Sequence, residues 1–192
     1  MNVSNSPAIL FLSGASGAGK TSILLSLKQR ITSSDYIFLH YDSMGVPSFK
    51  EMLEQAGSLE HWQEVTTYRW IERIGAGYAD DKVVLIEGQS NLDFITGACQ
   101  RYGIAKYAII LLDCDWQTMK DRLRRNRGQP ELANDDMRNW ADFLREQAQS
   151  RGIPIIKTAD QAPEVIAEII EKEYLIKLYP QLRNMHYEPR PA

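Results

Sequence analysis

Gly14-Ala15-Ser16-Gly17-Ala18-Gly19-Lys20-Thr21 satisfies the pattern G-x-x-x-x-G-K-[ST] at every fixed position. It follows the apolar run Ala8-Ile9-Leu10-Phe11-Leu12 and precedes a stretch with helical spacing. Each residue type has a physical reason. Gly14, Gly17 and Gly19 let the backbone curl so that its N–H groups face anionic oxygens, and a helix starting near Lys20 adds the positive end of its dipole. Lys20 can then reach the β- and γ-phosphates of a nucleoside triphosphate, and the Thr21 hydroxyl can take a place on Mg²⁺. Residues Gly14, Ala15, Ser16, Gly17, Ala18, Gly19, Lys20, Thr21 and Ser22 are the expected phosphate cradle. The bland alternative, a glycine-rich turn of no function, requires a chance match of about 1 in 150 in a chain this long, before the flanking strand and helix are demanded.

Further apolar runs at residues 36–40, 83–86, 107–112 and 153–156 are short and bounded by turn residues, and helical stretches alternate with them. That is the pattern of βαβ units around a mostly parallel sheet covered on both faces, a three-layer α/β fold. Ile23, Leu24, Leu27 and Ile31 form one helical stripe. Asn134 caps a second helix that closes at Gly152, and Pro163 opens a third. Residues 48–80 carry no strand pattern and read as a helical insert, with helices at 49–56 and 59–74. Gly128 and Pro130 break a charged helix into a lid over about residues 124–136. The three prolines of residues 180–192 suggest an irregular strap.

With 192 residues, 44% of them hydrophobic, the chain suits one domain with a sizeable core. Its 22 Lys+Arg against 25 Asp+Glu offer no basic field for a nucleic-acid backbone. Cys99 and Cys114 lack the companions needed for a zinc site or a disulfide framework. The first residues carry no basic segment, and residues 8–12 are too short to span a membrane. A cytoplasmic protein with two reduced thiols is expected; oligomeric state is not legible.

Three further landmarks carry charge. Glu87 ends Val83-Val-Leu-Ile-Glu87, the strand-terminal position where a carboxylate orients the water on Mg²⁺; its alternative is an acid paired with a neighbouring base. Asp42 follows the second apolar run, where it could take the proton of an attacking hydroxyl or simply bond its own turn, Asp42-Ser-Met-Gly45. Lys120, Arg122, Arg124, Arg125 and Arg127 lead into the lid. They could neutralise charge on a transferred phosphoryl group or form a solvated basic face. A guanine-reading N-K-x-D is missing, and the D-x-x-G at Asp42 follows the second strand instead of the third, which disfavours a GTPase switch.

On these motifs the chain resembles the small P-loop kinases, the nucleoside monophosphate, shikimate and gluconate kinase group, together with phosphotransferases such as the chloramphenicol phosphotransferase. The likeness spans roughly residues 8–172, with only Gly14 to Thr21 specific by itself. It implies sheet order 2-3-1-4-5, ATP and Mg²⁺ as cofactors, and transfer of the γ-phosphoryl group to a hydroxyl of a small acceptor beneath the lid. It also implies Lys20 and the loop amides on phosphate, Thr21 and Glu87 toward the metal, and Asp42 as base, acceptor anchor or part of the metal shell. Arg125 and Arg127, then Arg122, would be the lid arginines, and residues 157–160 would pass under the adenine. Monophosphate kinases carry Asp-Gly-(Phe/Tyr)-Pro-Arg where this chain has Glu87-Gly88-Gln89-Ser90-Asn91. The missing arginine favours a neutral or differently charged acceptor. His61, Trp62, Tyr68, Arg69 and Arg73 are lesser pocket candidates, and His40 and His186 receive no role. Two rival readings remain, an NTPase in which Glu87 orients water and a non-catalytic nucleotide-dependent regulator.

Overall fold

The computed structural model describes residues 7–180. The N-terminal residues before Pro7, the strap expected from residue 181 onward and His186 lie outside them. Five strands, β1 (Ala8–Ser13), β2 (Tyr36–His40), β3 (Val83–Gly88), β4 (Lys106–Asp113) and β5 (Ile155–Lys157), form one parallel sheet in the order β2-β3-β1-β4-β5. This is the order the resemblance implies.

β1 is central and buried throughout. Its alternation decides what covers each face. Ile9 and Phe11 join one core with Trp70 and Ile71 of α3 (Leu59–Arg73), Leu92 and Ile95 of α4 (Leu92–Arg101) and Leu144 of α6 (Asp135–Arg151). Leu10 and Leu12 join the other with Ile23, Leu24 and Leu27 of α1 (Lys20–Arg30) and Ile166 and Ile170 of α7 (Pro163–Ile170). Each fully buried aliphatic side chain is worth about 1.5–3 kcal/mol, so the strand that carries the glycine loop is firmly anchored on both faces. The connection from β1 runs toward β2, while that from β3 crosses back over β1 to β4. The loop after β1 therefore sits at the carboxyl edge where crossovers diverge, the place where open parallel sheets hold ligands.

The insert holds α2 (Phe49–Ala56) and α3, as expected. Ser48 and Glu51 close a capping box on α2. Asn134 caps α6 through the Met137 N–H, and Gly152 ends it at φ 63°. Three features differ from the sequence reading. β5 begins at Ile155 instead of residue 153, because the Ile153 N–H is spent on Ala148 O at the end of α6 and Pro154 has no N–H to give. α4, absent from the sequence reading, supplies the crossover between β3 and β4. The charged helix begins as α5 (Trp116–Asp121) and widens over Arg122–Asn126 into a π-type turn, with the Arg127 N–H reaching Arg122 O at 3.1 Å. Cys99 and Cys114 are free, buried thiols. No helix among the described residues is long and apolar enough to cross a membrane.

Candidate active site

The glycine loop is held by contacts that tolerate no side chain at its start. A Cβ on Gly14 would lie 2.5 Å from the Leu112 carbonyl oxygen of β4. Gly17 and Gly19 adopt φ of 87° and 91°, the left-handed region open to glycine at little cost. α1 starts with no side-chain cap and no acid in its first turn, which leaves its N-terminal amides and dipole free for an anion. Lys20 Nζ donates to Ala15 O at 3.0 Å and is only 7% exposed. Burial lowers its pKa from 10.5 to about 8; Glu87 and Asp42 oppose that shift and Arg127 adds to it.

Glu87 is the penultimate residue of β3, beside the loop. Its Oε1 accepts the Thr21 hydroxyl at 3.1 Å and lies 2.9 Å from His40 Nδ1. His40 is the residue sequence reasoning passed over. Its position follows from strand register, which pairs His40 with Glu87. The Thr21 hydroxyl and the Glu87 carboxylate are hard oxygen donors, adjacent and next to the phosphate cradle, and so suit Mg²⁺, which keeps most of its waters and takes phosphate oxygens. Among the described residues no cluster of three or more His, Cys, Asp or Glu offers a self-sufficient metal cage.

Arg122 docks on the loop from the side. Nη1 donates to Gly17 O (3.3 Å) and Thr158 Oγ1 (2.9 Å), and Nη2 to Thr158 O (2.5 Å). Thr158 in turn donates to Ala18 O at 2.9 Å. Ala15 and Ala18 thus serve the loop through their carbonyls, and with Gly14 they line neither of the two clefts that meet there. The segment after β5 enters the site through Thr158, while Lys157 pairs with Asp113.

A first cleft of about 410 Å³ is lined by Gly17, Gly19, Lys20, Thr21, Ser22 and Ile23, by Arg122, Asn126 and Arg127, and by Thr158, Gln161, Pro163 and Ile166. A second, of about 290 Å³, is lined by Ser16, Lys20, Thr21, Asp42, Trp62, Gln63, Glu87 and Arg127 among others. Lys20, Thr21 and Arg127 belong to both. Arg125 is exposed and lines neither. Asp42 lies in a 3-10 turn, Tyr41–Met44. Its carboxylate makes no hydrogen bond among the described residues; Gly45 N–H closes the turn on Asp42 O, and Ser43 Oγ donates to His40 O. The carboxylate is thus available to the second cleft.

Of the lesser candidates, Trp62 reaches the second cleft. His61 is exposed beside Glu64, Tyr68 packs edge-on to Tyr102, and Arg73 lies over the Tyr78 ring. Arg69 is exposed. Gln63 carries more of the wall than any of them. It donates to Gln89 O at 3.1 Å and accepts from Asn91 N–H at 2.9 Å. Asn91, where monophosphate kinases have arginine, caps α4 and accepts from Gln147. Tyr41, buried against Gly88, bonds Gln63 O and Thr67 and ties α3 to the sheet.

Three solved structures share this fold. The tunicamycin resistance protein of Deinococcus radiodurans superposes with a TM-score of 0.60 at 19% identity, covering 88% of this chain and 96% of that one. The shikimate kinase of Acinetobacter baumannii in complex with shikimate gives 0.55 at 17%, covering 90% and 96%. The APS kinase of Mycobacterium tuberculosis, in complex with AMPPNP and APS, gives 0.56 at 12%, covering 87% and 96%. The chain has the fold of the small P-loop kinases. A family model described as Zeta toxin matches residues 2–87, the part that runs from β1 through the insert to Glu87. A search of the curated proteins finds no match. This P-loop kinase fold explains why the phosphate loop, Asp42 and Glu87 fall on one edge of the sheet.

Proposed function

We propose that this protein is a Mg²⁺-dependent kinase that transfers the γ-phosphoryl group of ATP to a hydroxyl of a small acceptor. The observation that carries the reading is the meeting of two clefts at Lys20, Thr21 and Arg127. One cleft leads away along α1 and α7, the other toward Asp42, Glu87 and the insert. A nucleotide on one side and an acceptor on the other would present their reacting atoms at that junction. The APS kinase of the same fold holds a nucleotide analogue together with APS, and the shikimate kinase holds shikimate; the reading carries that division of labour over to this chain.

In this mechanism the amides of Gly17 and Gly19 and the ammonium of Lys20 hold the β- and γ-phosphates. Thr21 and Glu87 are the residues that would hold Mg²⁺, which when bound neutralises charge on the phosphate oxygens. The acceptor oxygen attacks the γ-phosphorus in line, its proton passes to the Asp42 carboxylate, and the bond to the β-phosphate oxygen breaks to release ADP. Arg127 stabilises the charge spread over the transferred group. Arg122, in the wall of the first cleft, holds the loop through Gly17 and Thr158.

The test is ADP release from Mg-ATP with a panel of hydroxyl acceptors. Lys20→Ala should abolish it, and Asp42→Asn should keep ATP affinity while lowering transfer by about 10²-fold. Release indifferent to acceptors would make the protein an NTPase. Nucleotide binding without turnover, unchanged in Asp42→Asn, would make it a regulator.

A further inference from the structure

The second cleft does not end at the insert. Leu59, Gln63 and Gln89 line it and also line a third cleft of about 630 Å³ between α3 and α6. The third cleft is chemically different. Its outer wall is Trp140 and Phe143, rings stacked 5.4 Å apart at 24°, and Phe143 and Leu59 are 41% and 43% exposed. Apolar side chains left open beside a polar catalytic cleft mark a place for the apolar part of a ligand. The indole N–H of Trp140 is buried with no hydrogen-bond partner among the described residues, a donor left unspent in the same wall.

Charge narrows the ligand. Among the described residues the charged ones of the third cleft are Glu60 and Asp136, and no Lys, Arg or His lines it. The cations of the second cleft are Lys20 and Arg127, both committed to the phosphate junction. A carboxylate or phosphate on the far part of an acceptor would meet two like charges and no base.

We infer that the acceptor is a two-part molecule, with a hydroxyl-bearing polar head beside Asp42 and an uncharged or cationic ring-bearing tail against Trp140 and Phe143. The inference rests on the kinase reading for its identification of the ligand as acceptor. The polar head fits the second cleft, where Gln63 and Gln89 offer amides, and the ring crosses Leu59 into the third.

Calorimetric titration of the full chain with three probes tests this: phenyl glucoside, its para-aminomethyl derivative and its para-carboxy derivative. The cationic and neutral probes should bind, the carboxylate about tenfold more weakly. Phe143→Ala, an exposed position whose truncation spares the core, should weaken phenyl glucoside by about tenfold while Mg-ATP affinity stays unchanged. The double variant Glu60→Lys, Asp136→Lys should reverse the charge order. Equal binding of the carboxylate, indifference to Phe143→Ala or no binding of any probe overturns the inference. The two readings fail separately. Binding in the stated charge order without phosphoryl transfer would end the kinase reading and leave the ligand site standing. Transfer to small polyols untouched by Phe143→Ala would keep the kinase and remove the tail.

Discussion

His40 Nδ1 lies 2.9 Å from Glu87 Oε1, the oxygen that also accepts the Thr21 hydroxyl. Strand register puts the two residues side by side at the carboxyl edge of the sheet. A carboxylate held from both sides keeps one orientation, and in the proposed kinase, where Glu87 would hold Mg²⁺, partners of this kind tune metal affinity by about tenfold or more. His40→Ala should therefore raise the Mg²⁺ concentration for half-maximal ADP release by about tenfold, with ATP affinity in the absence of metal unchanged. His40 is 41% exposed, so folding should survive. Turnover that drops at every Mg²⁺ concentration alike would reduce His40 to packing.

Lys20 makes nucleotide affinity depend on pH. Its pKa of about 8 without ligand reflects burial, and triphosphate oxygens favour the charged ammonium, so the bound pKa must be higher. Between those two values binding takes up a proton. Affinity should be flat below about pH 8 and should fall as pH rises above it, by up to about tenfold per unit. Calorimetry in two buffers of different ionisation enthalpy would register proton uptake at pH 8.5; heats that are equal after correction for dilution would contradict it.

The phosphate loop was legible in the sequence because its chemistry dictates residue type and spacing together. Gly14 must be glycine under the Leu112 carbonyl, and Lys20 must follow the turn. The five strands were legible because a strand covered on both faces is written as an unbroken apolar run. His40 was not, because its role exists only through the register of two strands whose paired residues stand 47 positions apart. Gln63 and Asn91 were not, because backbone groups of the segment after β3 decide what they bond. Arg125 lines neither cleft, because the chain does not keep a uniform helical period at this point. The wide turn over Arg122–Asn126 brings Arg127, five residues on, to bond the Arg122 carbonyl, and of the two exposed arginines Arg127 lines both clefts and Arg125 neither.

That phase shift separates the arginines experimentally. Arg127→Ala should lower kcat by about 10²-fold with KM for ATP little changed, the mark of charge stabilised in the transition state. Arg125→Ala should change neither by more than about twofold. Arg122→Ala should weaken ATP binding and stability together, since it removes three hydrogen bonds by which Arg122 ties the loop at Gly17 to Thr158. A loss of kcat in Arg125→Ala equal to that in Arg127→Ala would return Arg125 to the phosphate junction.

The same buried lysine makes the free protein less stable than it could be. Its folded pKa, about 8, lies below the ordinary 10.5. Between those values the unfolded chain holds more protons than the folded one, so stability contributed by this group rises with pH across that window. Below pH 8 the full penalty applies, about 3 kcal/mol by the size of the shift, partly offset by the hydrogen bond to Ala15 O. Lys20→Met removes the charge and keeps the length. At pH 7 without nucleotide it should unfold at a temperature about 4–8 °C higher than the parent, corresponding to about 2 kcal/mol, and the gap should close as pH approaches 10.5. With saturating Mg-ATP the order should invert, because the parent alone gains binding energy. A variant less stable than the parent at pH 7 would mean that the ammonium is better solvated by the loop carbonyls than its burial implies.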